Sequence, residues 1–183
     1  IIFYPAQFWA HKNHKYIIDA AQILKNENNT KYLFIFCGGN KGNFKYIKDL
    51  ITKTKLDDII KILTFITDDE LISLYLNSNG VVMPTYCGPT NLPIYESFYF
   101  KKIIFYTKDL IPNDLINDHL INIDITSPKD FCSQLEIYSD ISKIEKIVED
   151  NYKYYELICD ENIFKKNYEN ILSEFAYLLN RWK

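Results

Sequence analysis

The segment Pro84–Glu96, with the sequence PTYCGPTNLPIYE, contains the residues best suited to hold a phosphate. Gly88–Asn91 directly precede a predicted helix, whose first backbone N–H groups have no partner within the helix and carry partial positive charge. Thr90 and Asn91 add side-chain donors. Glu96 follows about one turn into the helix and can accept hydrogen bonds from sugar hydroxyls. A capped helix with a surface glutamate explains the same local pattern, so both interpretations stand at this point.

A second candidate site lies between Gln7 and His14, in the sequence QFWAHKNH. Lys12 falls just before or inside the first turn of a predicted helix, where the helix dipole disfavours a cation. This position is explained if Lys12 and the helix end share an anion; the alternative is a solvated lysine. His11 and His14 could share one helix face, but no carboxylate or cysteine is near in sequence, which favours a structural or capping role over metal binding.

Other residues with reactive or flexible chemistry give weaker signals. Gly38-Gly39 follows a predicted strand without the GxGxxG fingerprint, which indicates a tight turn and is also consistent with close backbone approach to a ligand. Cys87 suggests a nucleophile, but a histidine partner would have to come from elsewhere in the chain. The four cysteines form no CxxC pair, so we expect reduced thiols and no zinc site. His119 is expected to be structural.

The elements that must position these residues alternate between strand-length apolar runs and segments of helical period. This alternation predicts an α/β domain of three layers, Rossmann-like, with a parallel sheet of about six strands and helices on both faces. Ligands of such sheets bind beyond the carboxyl ends of the strands, where both candidate sites fall. The predicted strands are Ile1–Tyr4, Tyr32–Cys37, Ile59–Phe65, Asn79–Met83, Lys102–Tyr106 and Leu120–Ile123; predicted helices cover His11–Lys25, the segment marked by Phe44, Ile47 and Ile51, the segment after a capping box at Thr67–Glu70, and Pro93–Tyr99.

The last predicted helix has apolar residues at three- and four-residue spacing from Phe164 to Trp182. This spacing predicts that the helix buries a long apolar stripe. The full set on that stripe is Phe164, Tyr168, Ile171, Phe175, Leu179 and Trp182.

Composition limits the classes of protein to consider. The 183 residues suit one domain or one lobe of a larger enzyme, and 48% hydrophobic residues are enough for a sizeable core. The formal net charge of −3 argues against a nucleic-acid partner. No apolar run is long enough to span a membrane, and neither a signal peptide nor an initiator Met is present. We expect a piece of a longer protein that lacks an N-terminal part.

The run from Phe65 to Tyr106 resembles the C-terminal half of group 1 glycosyltransferases (family 4, GT-B fold). The residues that carry the resemblance keep the family's spacing: Asp69-Glu70-Leu71, Leu74-Tyr75, Pro84-Thr85, Leu92-Pro93 and Glu96-Ser97. The opening FYPAQFWAHKNHKYIIDAAQIL is similar to the family's first strand and lysine-bearing helix, and YLFIFCGG to its second strand and glycine turn. The resemblance covers nearly the whole chain.

The resemblance implies a role for each matched residue. Lys12 looks like the lysine that contacts the donor diphosphate, and Glu96 like the second glutamate of the E-x7-E motif, which binds the ribose. Gly88 stands where the first glutamate is expected, and Gln7 where the family has a phosphate-binding arginine. The other implied binding residues are Gly39 in the glycine turn, Thr64, Phe65 and Ile66 near the nucleobase, and Pro89, Thr90, Asn91 and Leu92 near the phosphates.

The resemblance therefore implies that residues 1–183 are a single C-terminal donor-binding domain, with the N-terminal acceptor domain absent from this chain. The expected activity is a retaining, metal-independent glycosyltransferase of hexosyltransferase type, without a cofactor, acting in cell-surface polysaccharide biosynthesis. Its partners would be a nucleoside diphosphate sugar and a glycan or lipid-linked acceptor. We expect a cytoplasmic protein, or one held peripherally at the inner membrane face, and an inactive fragment. The alternatives are a non-catalytic nucleotide-binding or interaction domain of this fold, and a Cys87-dependent hydrolase.

Overall fold

The computed structural model describes residues 1–29, 31–88, 92–111, 115 and 119–182. Its centre is a six-stranded sheet in the order β3-β2-β1-β4-β5-β6, in which every neighbouring pair is parallel. The sheet therefore confirms the predicted α/β class and the Rossmann-like order. The strands are β1 Ile2–Pro5, β2 Phe34–Cys37, β3 Ile60–Leu63, β4 Gly80–Met83, β5 Ile103–Thr107 and β6 Ile121–Ile123.

Helices cover the sheet because its strands are apolar on both sides. The central strands are buried along their length, as expected for a parallel sheet that lies between helices. Helix α1 packs beside α2 and α5, and α4 packs beside α6. The helices are α1 His14–Asn26, α2 Phe44–Lys53, α3 Asp68–Asn77, α4 Leu92–Tyr99, α5 Pro128–Ile137, α6 Ile141–Ile158 and α7 Glu161–Arg181, with 3₁₀ turns at Ala10–Lys12 and Lys108–Leu110.

The capping box predicted at the start of α3 is present. The Thr67 hydroxyl accepts a hydrogen bond from the Glu70 N–H at 3.2 Å, and a Glu70 carboxylate oxygen accepts one from the Thr67 N–H at 2.7 Å. Two N–H groups that the helix itself cannot satisfy thus gain partners, which explains why α3 begins at Asp68.

The start of α1 differs from the prediction. The sequence predicted a helix from His11, but Ala10–Lys12 form a separate 3₁₀ turn and α1 begins at His14. Asn13 interrupts the two with a left-handed backbone (φ 53°), a conformation that asparagine tolerates better than most residues. His11 and His14 consequently do not share a helix face.

The prediction that the last helix buries an apolar stripe is wrong. Helix α7 forms where it was expected, but none of its described side chains is buried, and Trp182 just after its end is 88% exposed. The spacing correctly indicated an amphipathic helix; the core of the domain is completed without it. The residues of the predicted stripe, all exposed, are Phe164, Tyr168, Ile171, Phe175, Leu179 and Trp182.

Within the described part of the chain, no helix combines the length and the apolar character needed to cross a membrane.

Candidate functional site

The strand order reverses between β1 and β4. The chain proceeds outward from β1 through β2 to β3, then returns past both to place β4 on the other side of β1. At such a switch point the loops after the two central strands diverge and leave a crevice at their carboxyl ends. The loop after β1 contains Gln7 and leads to Lys12, and the loop after β4 begins at Pro84. The topology thus brings the two strongest sequence-predicted sites to one crevice.

Hydrogen bonds hold the 3₁₀ turn Ala10–Lys12, called the Lys12 turn below, against the loop after β4. The carbonyl of His11 accepts from the Tyr86 N–H at 2.8 Å and lies 3.1 Å from the Thr85 hydroxyl, which shares its one hydrogen between this carbonyl and the nearer carbonyl of Cys87 at 2.5 Å. The Tyr4 hydroxyl donates to the carbonyl of Lys12, which anchors the other end of the turn to β1. Since Thr85 and Tyr4 are buried, these bonds hold Lys12 beside the loop.

The Lys12 amine lies in a partly desolvated position. Its side chain is half-buried, and burial lowers its pKa, while the electrostatic influence of Cys87 opposes that shift. Cys87 itself is exposed. An ammonium group with reduced access to water interacts more strongly with an anion than a fully solvated one, so Lys12 suits a phosphate ligand.

His14, directly behind Lys12, belongs to the core. Its ring stacks on Phe8 with centroids 4.5 Å apart and lies 4.7 Å from the ring of Tyr4. Burial lowers the pKa of His14 to about 4, and the Lys12 charge adds to this shift. Neither ring nitrogen makes a hydrogen bond within the described residues, and no group of side chains there could hold a metal ion. The structure supports the structural role predicted for this histidine.

The loop after β2 is joined to the loop after β1. The Phe8 N–H donates to the Gly39 carbonyl at 3.0 Å, and the Phe8 carbonyl accepts from the Asn43 N–H at 3.0 Å. Gly38 passes so close to Ala6 that a Cβ on it would lie 2.3 Å from the Ala6 carbonyl oxygen. Around Gly39, in contrast, a Cβ would meet nothing within 4 Å. The packing requirement therefore belongs to Gly38, which was not among the predicted site residues, and Gly39 borders open space.

Glu96 is held by a residue that sequence reasoning did not assign to the site. The Tyr75 hydroxyl, from α3, donates to a Glu96 carboxylate oxygen at 2.5 Å. Glu96 lies on α4, the helix that follows the phosphate-loop candidate, and is half-buried. Tyr75 was recognised only as part of the matched Leu74-Tyr75 pair, and a buried tyrosine one helix away gives no sequence signal of its partner.

Thr64–Ile66 follow β3 at the same edge of the sheet. The Gly38 N–H donates to the Leu63 carbonyl at 3.1 Å, which ties this segment to the glycine turn. Phe65 is 95% exposed, so β3 ends at Leu63 rather than at the predicted Phe65. Three strand spacings separate β3 from β4, about 14 Å in all. The residues predicted to contact the base, the diphosphate and the ribose therefore follow the carboxyl ends of strands β3 to β4.

The phosphate-loop residues are only partly within the described chain. Gly88 is half-buried and Leu92, at the start of α4, is exposed. Pro89, Thr90 and Asn91 lie outside the described residues. Gln7 is exposed beside Phe8 in the loop after β1.

A cavity of about 410 Å³ lies at the amino ends of the strands, opposite to the candidate site. Its wall includes Ile2 and Ile103, the first residues of β1 and β5, together with Tyr32 and Leu135. Ligand sites of open parallel sheets lie at the carboxyl ends of the strands, so this cavity is not the candidate site.

Fold and candidate site together define a doubly wound α/β domain with a half-buried lysine, Lys12, beside the loop after β4 and a half-buried glutamate, Glu96, on the helix that follows that loop. The chain belongs to the family of group 1 glycosyl transferases, whose model matches residues 1–155. That match confirms the family resemblance carried by the sequence motifs.

Solved structures with the same fold include a glycosyltransferase from Rickettsia africae ESF-5, with a TM-score of 0.82 and 18% identity over 96% of this chain and 47% of that one. Anabaena Alr3699/HepE in complex with UDP has a TM-score of 0.78 and 15% identity, over 94% of this chain and 48% of that one. The C-terminal domain of the group 1 protein LpcC from Francisella tularensis has a TM-score of 0.71 and 19% identity, over 86% of this chain and 85% of that domain.

The chain thus spans about half the length of the first two structures. A comparison with curated protein sequences finds no match.

Proposed function

We propose that this chain is the donor-binding domain of a retaining glycosyltransferase of hexosyltransferase type and that its donor is a UDP-linked sugar. The observation that carries the proposal is the pair of hydrogen bonds from Thr85 and Tyr86 to His11, which hold Lys12 beside the loop that leads into α4. Two solved neighbours support the donor class: Anabaena HepE is seen with UDP-glucose, and the pneumococcal O-GlcNAc transferase GtfA with UDP and GlcNAc.

In this proposal the leaving diphosphate is neutralised by protein groups rather than by a metal ion or another cofactor. Lys12 would supply a partly desolvated positive charge, and backbone N–H groups in the first turn of α4 other than at Pro93, which has none, would supply donors. Glu96 accepts hydrogen bonds from the ribose hydroxyls. Gln7 and Gly88 stand where the family's arginine and first glutamate are expected, so the diphosphate loses one charge partner and the sugar one acceptor.

The complete reaction requires more than these residues. We propose that an N-terminal domain outside residues 1–183 binds the acceptor, a glycan or lipid-linked glycan of cell-surface polysaccharide biosynthesis. The half-length match to the solved neighbours supports this division. The full-length protein would act in the cytoplasm or at the inner membrane face. Residues 1–183 alone are expected to bind donor weakly and to turn over nothing; transferase activity of that piece would contradict the division.

Calorimetric titration with UDP tests the site. We expect binding that weakens about 10- to 100-fold in Lys12→Ala and in Glu96→Ala, the range for loss of one hydrogen bond to a charged group. Lys102→Ala is the matched control. Lys102 is also half-buried, and burial lowers its pKa, but its amine donates to the Leu76 carbonyl at 2.8 Å. Lys102 directly precedes β5, at the end of the strands opposite to the candidate site.

The titration also separates the proposal from its alternative. Equal affinities in all four proteins would place UDP elsewhere. No binding of UDP, ADP or GDP at millimolar concentration would favour the non-catalytic interaction domain, whose nucleotide site has lost function with Gln7 and Gly88.

A further inference from the structure

Tyr75 is a buried tyrosine whose hydroxyl reaches the edge of the candidate site. Its side chain is 1% exposed. Its ring stacks on Phe100 with centroids 4.9 Å apart and meets the ring of Phe3 edge-on at 5.1 Å. Aromatic contacts on two sides leave the ring little freedom, so the position of its hydroxyl is determined by the core.

The Tyr75 hydroxyl contacts the carboxylate of Glu96, which the proposed function assigns to the ribose of the donor. It donates to a Glu96 carboxylate oxygen at 2.5 Å, from α3 across to α4. A glutamate side chain has several rotamers, and its last torsion is broadly distributed. The bond to a fixed phenol selects among those rotamers.

We infer that Tyr75 is a positioning residue for Glu96: it holds the carboxylate in the orientation in which it receives the ribose hydroxyls of the donor nucleotide. The inference rests on the proposed function, because it assigns Tyr75 a role through the ribose contact of Glu96. Tyr75 itself does not touch the ligand.

The chemistry of the pair supports a constant direction for this hydrogen bond. Burial raises the pKa of Tyr75 well above its ordinary value, and the bond to Glu96 and the charge of that carboxylate raise it further. The phenol therefore stays protonated across the physiological range and acts as a donor throughout. The carboxylate accepts only one hydrogen from it, and ionised carboxylates have about four acceptor positions, which leaves capacity for a ribose diol.

The test compares UDP with 2′,3′-dideoxy-UDP, which lacks the hydroxyl groups that Glu96 would receive. The unchanged protein should prefer UDP by about tenfold or more. In Tyr75→Phe this preference should fall several-fold, because UDP binds more weakly while the affinity for the dideoxy analogue stays within about twofold. A variant that is merely less well folded would lose affinity for both ligands equally.

Two further variants complete the experiment. Glu96→Gln should lose the same discrimination, and Tyr75→Phe combined with it should lose no more, since both act through one contact. Tyr32→Phe is the matched control: the Tyr32 hydroxyl also donates one hydrogen bond, to the Leu135 carbonyl at 3.0 Å, and Tyr32 lines the cavity at the amino ends of the strands. It should keep the full preference for UDP.

The outcomes separate the two proposals. If the unchanged protein binds UDP with a clear preference over the dideoxy analogue and Tyr75→Phe keeps that preference, the positioning role is refuted and the proposed function stands. If the unchanged protein does not bind UDP, the proposed donor and the positioning role both fall.

Discussion

Replacing Gly38 with alanine would force the backbones of two site loops apart. The new Cβ would lie 2.3 Å from the Ala6 carbonyl oxygen, 2.6 Å from the Ala6 carbonyl carbon and 2.7 Å from Gln7 Cα. Ordinary van der Waals contact begins at 3.4 Å, so one loop must move by about 1 Å. All three atoms are backbone, and no flexible side chain can give way instead.

The cost should fall at the upper end of the range for overpacking, about 3 kcal/mol, because the strain falls on the main chain. The smaller conformational entropy of an unfolded chain with alanine offsets only about 0.4–1 kcal/mol. For a domain of this size the midpoint of thermal unfolding should then drop by roughly 4–10 °C. Donor affinity should drop as well, because the displaced segment leads to Gln7 and Lys12.

Gly39→Ala is the matched control, one residue further along the same turn. Its Cβ would meet nothing within 4 Å and its φ is not in the left-handed region, so the unfolding free energy should change by less than about 0.5 kcal/mol. Urea unfolding followed by tryptophan fluorescence measures both variants. Equal stability of Gly38→Ala and Gly39→Ala would refute the steric argument. A loss of UDP affinity in Gly39→Ala without a loss of stability would support the predicted close approach of ligand at Gly39.

Two further predictions concern charge and access at the site. His14 has a folded-state pKa of about 4 against an unfolded value near 6.5, so the unfolded chain binds a proton that the folded chain excludes. The free energy of unfolding therefore decreases as pH falls from 6.5 toward 4, and between pH 7 and pH 5 His14 should account for about 2 kcal/mol of that decrease. Urea unfolding of the protein and of His14→Phe at both pH values measures this contribution by difference. An equal pH dependence of the two proteins would contradict the prediction. UDP should slow the alkylation of exposed Cys87 by iodoacetamide several-fold, as peptide mass spectrometry can follow; an unchanged alkylation rate at Cys87 would place UDP away from the Lys12 turn.

The sheet was predictable because each strand carries its own signal. Runs such as YLFIFC and KIIFY are apolar on both faces, which occurs where a strand is covered on two sides. The capping box at Thr67 likewise contains its whole mechanism within four residues. Errors in predicting these elements are confined to their ends. Strand β3, for example, ends at Leu63, and Phe65 lies beyond it with an exposed side chain.

The two candidate loops could be selected from the sequence, but the contacts that join them could not. The rule for open parallel sheets selected the loops after β1 and β4, and the strand order brings them to one crevice. The bonds that join them, from Thr85 and Tyr86 to His11, connect residues more than seventy positions apart. The pairing of Tyr75 with Glu96 and the closeness of Gly38 to Ala6 also depend on how elements pack, which local patterns do not record.

Helices α1 and α7 show why the same pattern can have opposite outcomes. Both carry apolar residues at three- and four-residue spacing, yet Ile17, Ala20, Ala21 and Leu24 of α1 are buried, whereas no described side chain of α7 is. The period of a helix shows that one face favours contact with apolar surface; it does not show where that surface lies. The match to the family model ends at residue 155, before α7 begins, and the core closes without α7. The apolar face of α7 therefore lies outside the core that this domain builds from its described residues.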